Sequence, residues 1–355
     1  MQKPLPTGLG AKGERKPVTL SGDDLVKIAP LRADSPLPVE IRPSGPLVDL
    51  PGWLRGHRDT VERLLGREGA VLFRGFGLAT LADFELAVAS FTGDLLEYSY
   101  RSTPRTQVSG RIYTSTEYPA EQQIPMHNEM SYTSSWPGKI WFFCTRPAAE
   151  GGETPIADSR RVYARIPAEV RERFERHGVL YQRNFGHELD LPWQTVFQTE
   201  DPAAVESFCR AAGLDLEWRP GGRLRTRQVC QATTRHPRTG EPVWFNQAHL
   251  FHVSSLAPEV CDLLLSTYPP DELPRNTYYG DGTPIDAEAL AAVREAYRAE
   301  SVTFSWQQGD LLMLDNMLVA HGRMPYRGAR QILVGMAESM TASFGSSSGG
   351  DPAHP

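Results

Sequence analysis

Two histidines and one carboxylate are the residues of this chain whose types and spacing could bind a metal ion. His127 and Glu129 form a His-x-Glu sequence, and His321 follows almost two hundred residues later, within 315–323. Two imidazoles and one carboxylate can hold non-heme Fe(II) on one face and leave the opposite coordination positions open. The tripeptide alone is a weak signal, because it arises by chance in many long chains. Whether it predicts an iron site therefore depends on the residues that stand around it.

The local structure must let these side chains converge on one ion. If residues 124–130 form a strand, residues i and i+2 point to the same side, so His127 and Glu129 can both reach the ion while Asn128 turns away. His321 must then come from a second strand. The sequence therefore predicts a site carried by two separate strands.

Short apolar runs and helical spacings divide the chain into strands before and after a helical middle. This pattern predicts an α+β protein built on an antiparallel sheet. We expect tails at 1–20 and 345–355, a Pro-rich segment at 29–53 that runs extended over the surface, and a single domain over 21–344 with a helical insertion at about 158–300. Strands are predicted at 70–76, 139–144, 151–156, 180–185, 224–232, 243–246, 302–306, 310–314 and 331–336. Helices are predicted at 78–91, 159–178, 202–212, 258–267 and 286–299.

The composition argues against several kinds of partner. The 355 residues carry a net charge of −6, which gives no electrostatic footprint for a nucleic acid or a membrane surface, so we expect neither partner. The sequence has no apolar run of roughly 18 residues and no signal-peptide pattern, so we expect a cytoplasmic location. The four cysteines are far apart and are expected to be buried free thiols.

Four separate segments carry a resemblance to a known family. They are 72–76 (Leu-Phe-Arg-Gly-Phe), the His127-x-Glu129 sequence, 151–154 (Gly-Gly-Glu-Thr), and Asp315-Asn316 followed by His321 and Arg330. From about 69 to 337 the chain resembles the Fe(II)/2-oxoglutarate-dependent dioxygenases of the taurine dioxygenase and clavaminate synthase type. Within that group it is most similar to the syringomycin-hydroxylase-like branch. The resemblance implies a double-stranded β-helix (a jelly roll) with helices outside, and it implies Fe(II), O2 and 2-oxoglutarate as co-substrate.

The resemblance also implies roles for individual residues. His127, Glu129 and His321 match the iron ligands, and Glu is the usual carboxylate in clavaminate-like members. Arg330, nine residues after His321, matches the arginine that binds the co-substrate, and Thr154 matches the hydroxyl that shares the same carboxylate. The chemistry agrees, because the distal carboxylate of 2-oxoglutarate needs a planar, two-pronged cation, which Arg supplies and Lys does not.

Several other residues compete for these roles. Arg323 and Arg327 are nearer to His321 than Arg330 is; Arg323 could line the mouth of the site, whereas Arg327 is expected to face solvent. His249 and His252 could form a second metal pair, but we expect one in the pocket wall and the other in a structural role.

The substrate contacts are the least defined part of the prediction. Val334 stands where the sulfonate-using members carry an arginine, so a taurine-like substrate is not expected. Asn246 lies in a segment that resembles a substrate-facing strand, and it is the best candidate for a substrate contact, with core packing as the alternative. Arg101 and Arg105 could hold a substrate carboxylate.

The implied reaction decarboxylates 2-oxoglutarate to succinate and CO2 and hydroxylates an unactivated C–H bond. The expected substrate is an amino acid or an amino-acid-derived intermediate of natural-product biosynthesis, either free or carried as a thioester on a peptidyl carrier protein. Desaturation, cyclisation or epimerisation with the same iron are alternatives. Chlorination is disfavoured, because it removes the carboxylate ligand that Glu129 provides. A metal-free β-helix binding protein is the alternative from a different class, and the intact Glu129, Thr154 and Arg330 argue against it.

Overall fold

The computed structural model describes residues 25–46, 48–97, 106–115, 118–186 and 191–341. The strands are β1 (Val26–Arg32), β2 (Ser35–Pro43), β3 (Ala70–Phe73), β4 (Gln107–Ser109), β5 (Ile112–Thr114), β6 (Ile124–His127), β7 (Ser135–Arg146), β8 (Glu150–Gly151), β9 (Ile156–Asp158), β10 (Val179–Phe185), β11 (Asp215–Arg219), β12 (Arg223–Cys230), β13 (Thr233–Arg235), β14 (Pro242–Trp244), β15 (Arg275–Tyr279), β16 (Leu311–Asp315), β17 (Val319–Arg323), β18 (Tyr326–Arg327) and β19 (Gln331–Thr341). The α-helices are α1 (Leu50–Gly56), α2 (Arg58–Glu68), α3 (Leu81–Phe91), α4 (Ser159–Arg165), α5 (Ala168–His177), α6 (Trp193–Phe197), α7 (Pro202–Ala212), α8 (Ala248–Phe251), α9 (Pro258–Thr267) and α10 (Ala287–Glu300). This mixture of helices and mainly antiparallel sheets confirms the predicted α+β class.

An eight-stranded sheet in the order β1-β2-β3-β16-β7-β19-β5-β4 is the largest sheet of the described chain. Its central strand β7 is buried from Trp136 to Cys144 because both of its faces are covered. Side chains alternate across a strand, so Phe142 and Cys144 enter one core while Trp141 and Phe143 enter another, which α3 helps to form. The sheet is antiparallel around β7, where β16 and β19 are its neighbours.

A three-stranded sheet, β6-β17-β9, brings the two predicted metal-binding segments together. His321 in β17 lies opposite His127 in β6 on one side and opposite Ile156 in β9 on the other. Ile156 and Val319 share a hydrophobic core with Phe142 of β7. The three-stranded sheet therefore packs against the eight-stranded one, and the paired histidines lie beside this shared core.

The segment 158–300, predicted as a helical insertion, is mixed. It contains α4 to α10, but also the four-stranded antiparallel sheet β11-β12-β10-β15 and the two-stranded sheet β13-β14. The helices cover this sheet because β10 and α10 bury their apolar residues in one core, to which α5 contributes Phe174. None of the helices in the described ranges has the length and hydropathy of a membrane span.

Two expectations about extended segments need correction. Within the described range 191–341, residues 302–306 form no strand ladder, and only Val302 makes a single bridge to Ile156. The alternating apolar residues there are explained by packing, because Phe304 and Trp306 are buried in the core. The Pro-rich segment 29–53 does not simply run over the surface. It supplies most of β1 and β2 and the start of α1.

Candidate metal centre and adjoining pocket

The structure brings His127, Glu129 and His321 together. One ligand atom from each lies within 4.8 Å of the others, and no other group of three His, Cys, Asp or Glu side chains in the described ranges is so placed. Nε2 of His321 lies 4.0 Å from Oε2 of Glu129, and the two imidazole ring centroids are 4.6 Å apart. Glu129 and His321 are buried and His127 is half-buried. The cluster offers the two imidazoles and one carboxylate of a non-heme iron site.

Glu129 is positioned by a side-chain clamp and not by a strand. β6 ends at His127, so Glu129 lies in the following turn, where Met130 adopts a left-handed φ of 55°. The backbone N–H of Glu129 donates to Oδ1 of Asn316 (2.8 Å), and Nδ2 of Asn316 donates to the carbonyls of Glu129 (2.9 Å) and Pro137 (2.8 Å). Asn316 is fully buried. Its carboxamide therefore replaces the strand ladder that we expected to orient Glu129.

Neighbouring amides extend this clamp. Nδ2 of Asn128 donates to the carbonyl of Asn316 (2.7 Å) and to Oγ of Ser159 (3.0 Å), which turns Asn128 away from the ligand cluster as predicted. Nε2 of Gln247 donates to the carbonyl of Asn128 (2.7 Å). The turn that carries Glu129 is thus tied to three distant parts of the chain. In the sequence, Asp315-Asn316 is recognisable only as part of the family motif. That motif is the one sequence signal for this clamp.

The imidazoles are oriented by their surroundings. Nδ1 of His127 lies 2.8 Å from the carbonyl of Pro125. A proton on Nδ1 satisfies that contact and places the lone pair on Nε2, the usual arrangement for a histidine that binds a metal. The ring of His321 meets Phe142 edge-on, with centroids 5.0 Å apart.

A buried carboxylate fixes the turn between β16 and β17. Oδ1 of Asp315 accepts from the backbone N–H groups of Met317 (3.1 Å) and Leu318 (3.2 Å), while Oδ2 lies 3.0 Å from both Nε2 of His236 and a guanidinium nitrogen of Arg238. Burial raises the pKa of Asp315, but the hydrogen bond with His236 and the charge of Arg238 outweigh burial and hold that pKa below its ordinary value. This turn sets the start of the strand that carries His321.

A pocket runs from the two histidines to Arg330. Its walls between these ends are largely apolar, and Thr154 adds a hydroxyl. The lining residues are Ser115, Ile124, His127, Phe142, Thr154, His321, Gly322, Arg323, Arg330, Ile332 and Val334. The metal-ligand cluster and the predicted co-substrate residues therefore share one cavity.

Arg330 is a largely buried cation that forms no ion pair with a carboxylate in the part of the chain that the structure describes. Its Nε donates to the carbonyl of Gly152 (3.0 Å), and a terminal nitrogen lies 3.4 Å from Oγ of Ser115. Burial, and then the like charge of Arg323, lower the pKa of Arg330 to about 10. Gly152 has a φ of +73°, and a Cβ there would lie 3.0 Å from Cδ and Nε of Arg330, so a glycine is required for this approach.

Thr154 is buried beside Arg330 in the pocket wall. Its Oγ1 accepts a hydrogen bond from Nε1 of Trp306 (3.0 Å). Because a hydroxyl has one hydrogen to donate as well as lone pairs to accept, this bond leaves Thr154 able to donate toward a ligand.

The two rival arginines have other surroundings. Arg323 lines the pocket, but its terminal nitrogens donate to the carbonyls of Tyr118 (2.9 Å), Pro119 (2.6 Å) and Gln122 (2.7 Å). It therefore holds the loop before β6, a role that the sequence did not suggest. Arg327 has a side chain that is 86% exposed, in agreement with the expectation that it faces solvent.

The predicted substrate contacts fare differently. Asn246 is fully buried, its Nδ2 donates to the carbonyl of Ala232 (2.7 Å), and its Oδ1 accepts from the N–H of Ala248 (2.9 Å). Its carboxamide holds backbone groups, which favours the core-packing alternative, and its role as a substrate contact stays a prediction. Arg101 and Arg105 lie outside the described residues.

The second histidine pair does not form a metal site in the described chain. Nε2 of His249 lies 2.9 Å from the carbonyl of Met126, and burial lowers the pKa of His249 to about 3, so its imidazole is neutral. Nδ1 of His252 lies 2.8 Å from Oγ of Ser254. Neither histidine belongs to the ligand cluster. Both have structural contacts.

The chain also matches a known protein family. A model of the taurine catabolism dioxygenase TauD, TfdA family matches residues 33–337. The chain belongs to this family, and it is an Fe(II)/2-oxoglutarate-dependent dioxygenase that consumes O2. The dapdiamide synthesis protein DdaC of Enterobacter agglomerans is 41% identical over 283 residues, which are 80% of this chain and 86% of DdaC. A clavaminate synthase-like protein of Arabidopsis thaliana is 31% identical over 326 residues, with coverage of 85% and 94%.

A solved structure shares the fold. The PvcB protein from Pseudomonas aeruginosa matches with a TM-score of 0.53 and 16% identity over 91% of this chain and 94% of its own. At this identity the likeness concerns the fold alone. It supports the mixed helix and sheet architecture described above.

Proposed function

We propose that His127, Glu129 and His321 bind the Fe(II) ion, and that 2-oxoglutarate lies in the adjoining pocket with its distal carboxylate on Arg330 and Thr154. The enzyme then hydroxylates an unactivated C–H bond of an amino acid, or of an amino-acid-derived intermediate, in the biosynthesis of a natural product. Two imidazoles and a carboxylate whose ligand atoms lie within 4.8 Å of one another support the first assignment.

The observation that carries the proposal is the cation at the far end of the pocket. Arg330 is largely buried, and its pKa is lowered to about 10 by burial and by Arg323. The charge of Glu153 acts on it in the opposite direction, but no Asp or Glu in the described residues forms an ion pair with it. A buried cation without a partner is unfavourable, and a carboxylate ligand relieves that cost. 2-Oxoglutarate has such a carboxylate at one end and a chelating keto acid at the other. The apolar side chains of Phe142 and Val334 line the pocket between the two ends.

When bound, the iron and its co-substrate supply the oxidising chemistry, and the protein supplies position and exclusion of water. His127, Glu129 and His321 would hold the ion. Arg330 and Thr154 hold the distal carboxylate and so fix the orientation of the co-substrate. The buried ring of Phe142, which lies against His321, keeps water from the metal end of the cavity.

We also propose that the two packed sheets form a double-stranded β-helix. The eight-stranded and three-stranded sheets share one hydrophobic core, and the ligand histidines lie at its edge. We further propose that the described residues from 25 to 341 belong to a single oxygenase domain, with 158–300 as an inserted α+β segment.

The substrate assignment is supported by one relative and one residue. DdaC, 41% identical to this chain, is by name a dapdiamide synthesis protein, which favours a biosynthetic role. Val334 stands in the pocket wall where an arginine would be needed to grip a sulfonate, which disfavours a taurine-like substrate. Presentation of the substrate on a peptidyl carrier protein is the alternative to a free amino acid.

An anaerobic titration of the metal-free protein with Fe(II) and 2-oxoglutarate tests the site. We expect the visible charge-transfer absorption of the iron–keto-acid chelate in the wild type, no such band in His127→Ala, and a weakened band in Arg330→Ala. Arg327→Ala is the matched control, because Arg327 is an exposed arginine three residues away. A folded wild-type protein without the band would refute the proposal.

A substrate screen follows if the band forms. Free amino acids and the same amino acids loaded on a carrier protein are compared by the succinate that each one generates. Succinate formation that depends on one of these substrates, with a hydroxylated product in the mass spectrum, supports the assignment. A product two mass units lighter than the substrate would instead indicate desaturation or cyclisation.

A further inference from the structure

A second cavity adjoins the pocket on the side of Arg330. We call it the outer vestibule. Its polar lining residues include Ser115, Tyr118, Arg146, Arg323, Tyr326 and Arg330. The vestibule and the inner pocket are contiguous, because Ser115, Arg323, Arg330 and Ile332 line both.

The lining residues show how the vestibule and the inner pocket are arranged relative to the metal-ligand cluster. His127 and His321 line only the inner pocket, Arg330 lines both spaces, and Arg146 lines only the vestibule. Arg146 and Tyr118 are exposed, so the vestibule opens to solvent at this end. Arg330 therefore stands between the solvent-exposed vestibule and the pocket that holds the metal-ligand cluster.

The vestibule carries a concentrated positive charge. Three of its lining residues are arginines, and no Asp or Glu stands among its lining residues in the described chain. Arg323 is held by three backbone carbonyls and forms no ion pair within the described residues, although the charge of Glu121 acts on its guanidinium. The side chain of Arg146 forms no hydrogen bond or ion pair with the described residues, and only its backbone pairs, in the ladder of β7 with β19. The ring of Tyr326 lies between the two inner cations, with its centroid 5.2 Å from Cζ of Arg323 and 5.5 Å from Cζ of Arg330.

We propose that the outer vestibule is a port for small dicarboxylates, through which 2-oxoglutarate enters and succinate leaves. The inference rests on the proposed function, since it assumes that the distal carboxylate of the co-substrate binds Arg330. Clefts lined by one sign of charge raise the local concentration of counter-ions and speed their association. Succinate keeps the carboxylate that faces Arg330, so the same cations can guide it outward. The co-substrate then exchanges without passing the face of the iron that meets the substrate.

Stopped-flow mixing of the anaerobic Fe(II) protein with 2-oxoglutarate tests the port. The rate at which the chelate absorption appears is measured in Arg146→Glu and in Arg327→Glu. Both variants change the net charge equally and are exposed, but only Arg146 lines the vestibule. We expect Arg146→Glu to slow association about three- to ten-fold at low ionic strength, and we expect this difference to vanish near roughly 0.5 M salt, where the Debye length is about 4 Å. Arg327→Glu should remain near the wild-type rate.

Each outcome has a separate meaning. Slower association in Arg146→Glu alone, with the same absorption at saturation, supports the port, and Arg146→Gln should show an intermediate rate. Equal slowing in both variants, or in neither, would overturn it and indicate entry from the face of the metal. A lower absorption at saturation in Arg146→Glu would also overturn it, because Arg146 would then stabilise the bound state. The absence of absorption in the wild type would refute the proposed function itself.

Discussion

The two ends of the pocket are stabilised in opposite ways. At the metal end, Asn316 uses its whole carboxamide on the backbone of Glu129 and Pro137, so the turn is held by neutral hydrogen bonds between groups of the chain. At the other end, Arg330 and Arg323 place two like charges in a largely buried space. The hydrogen bonds that hold the turn at the metal end are formed before any ligand binds. At the other end, the positive charge would be balanced only when an anion binds.

This difference has a thermodynamic consequence. A buried hydrogen-bonded amide stabilises the folded protein, whereas a buried cation without an anion does not. Substitutions at the metal end should therefore lower stability and metal affinity together. Substitutions at the co-substrate end should lower the affinity for 2-oxoglutarate while leaving the stability of the ligand-free protein unchanged or higher.

The largest effect is expected from Glu129→Ala. This substitution removes the only carboxylate of the ligand cluster, so the loss in Fe(II) affinity should exceed the roughly 100-fold that loss of an outer hydrogen-bond partner can cause. Metal binding is measured by anaerobic titration, and Glu150→Ala, which removes an exposed carboxylate, is the control. Wild-type affinity in Glu129→Ala would show that the iron binds elsewhere.

Arg330→Ala should weaken 2-oxoglutarate binding by about 10- to 100-fold, because a charge-assisted hydrogen bond contributes roughly 1.5–3 kcal/mol. The melting temperature of the ligand-free protein should not fall, since the variant relieves repulsion with Arg323. Arg330→Lys keeps the charge without the two-pronged geometry, so its affinity for 2-oxoglutarate should lie between those of the wild type and Arg330→Ala. A clear loss of stability in ligand-free Arg330→Ala would break the contrast between the two ends.

Asn316→Ala should lower both the stability of the protein and its affinity for Fe(II). We expect a loss of about 2–4 kcal/mol in unfolding free energy, from buried donors and acceptors left without partners, and a loss of roughly 10- to 100-fold in Fe(II) affinity. Asn246→Ala is the matched control, because Asn246 is equally buried and holds backbone groups away from the cluster. The control should lose stability but keep its metal affinity and its Michaelis constant for substrate. A raised Michaelis constant in the control would support Asn246 as a substrate contact.

Asp315→Asn should lower the unfolding free energy at neutral pH by about 2 kcal/mol, since a charged acceptor of four hydrogen bonds becomes neutral. The pKa of Asp315 in the folded protein lies below its ordinary value. The stability from the charged form is therefore present above the unfolded pKa of about 3.9 and is lost as the pH falls through the folded pKa. Urea unfolding between pH 3 and pH 7 should show a shallower acid-side decline in Asp315→Asn. Asp262→Asn, which alters an exposed carboxylate of α9, should follow the wild type.

The sequence was most informative where chemistry depends on residue type and spacing. Histidines 127 and 321, Glu129 and Arg330 could be named as a set because their residue types suit iron and 2-oxoglutarate and their order matches the motif of the family that the chain resembles. The α+β class followed from the alternation of strand and helix patterns. These predictions needed no knowledge of distant contacts.

The rest depended on partners far along the chain. Asn316 and Asn246 are the same residue type in similar apolar surroundings, yet one clamps Glu129 from 187 positions away and the other only holds nearby backbone. Glu129 was expected to be on a strand because its spacing from His127 fits one, but β6 ends at His127 and the clamp takes over. Arg323 could have bound a ligand until its contacts with residues 118–122 were known. Sequence pattern reports burial and period, not which carbonyl a side chain meets.

The smallest effect, and the finest test of the contrast, is expected from Thr154→Val, which replaces a hydroxyl by a methyl group of similar size. At the co-substrate end it removes one neutral donor, so 2-oxoglutarate affinity should fall by only about two- to five-fold, corresponding to roughly 0.5–1 kcal/mol. It also deprives Nε1 of Trp306 of its acceptor, so stability should fall by about 1–2 kcal/mol. A substitution of Thr154 is thus expected to lower both the affinity for 2-oxoglutarate and the stability of the folded protein.

Trp306→Phe separates the two roles of Thr154, because it removes the indole donor and keeps the hydroxyl. Its stability should fall, while its affinity for 2-oxoglutarate, measured by the same chelate titration, should stay close to that of the wild type. If Thr154→Val also kept the wild-type affinity for 2-oxoglutarate, the hydroxyl would act only as the hydrogen-bond acceptor of Trp306. Its role would then be structural. Arg330 would then carry the distal carboxylate without it, and the whole co-substrate end would depend on charge.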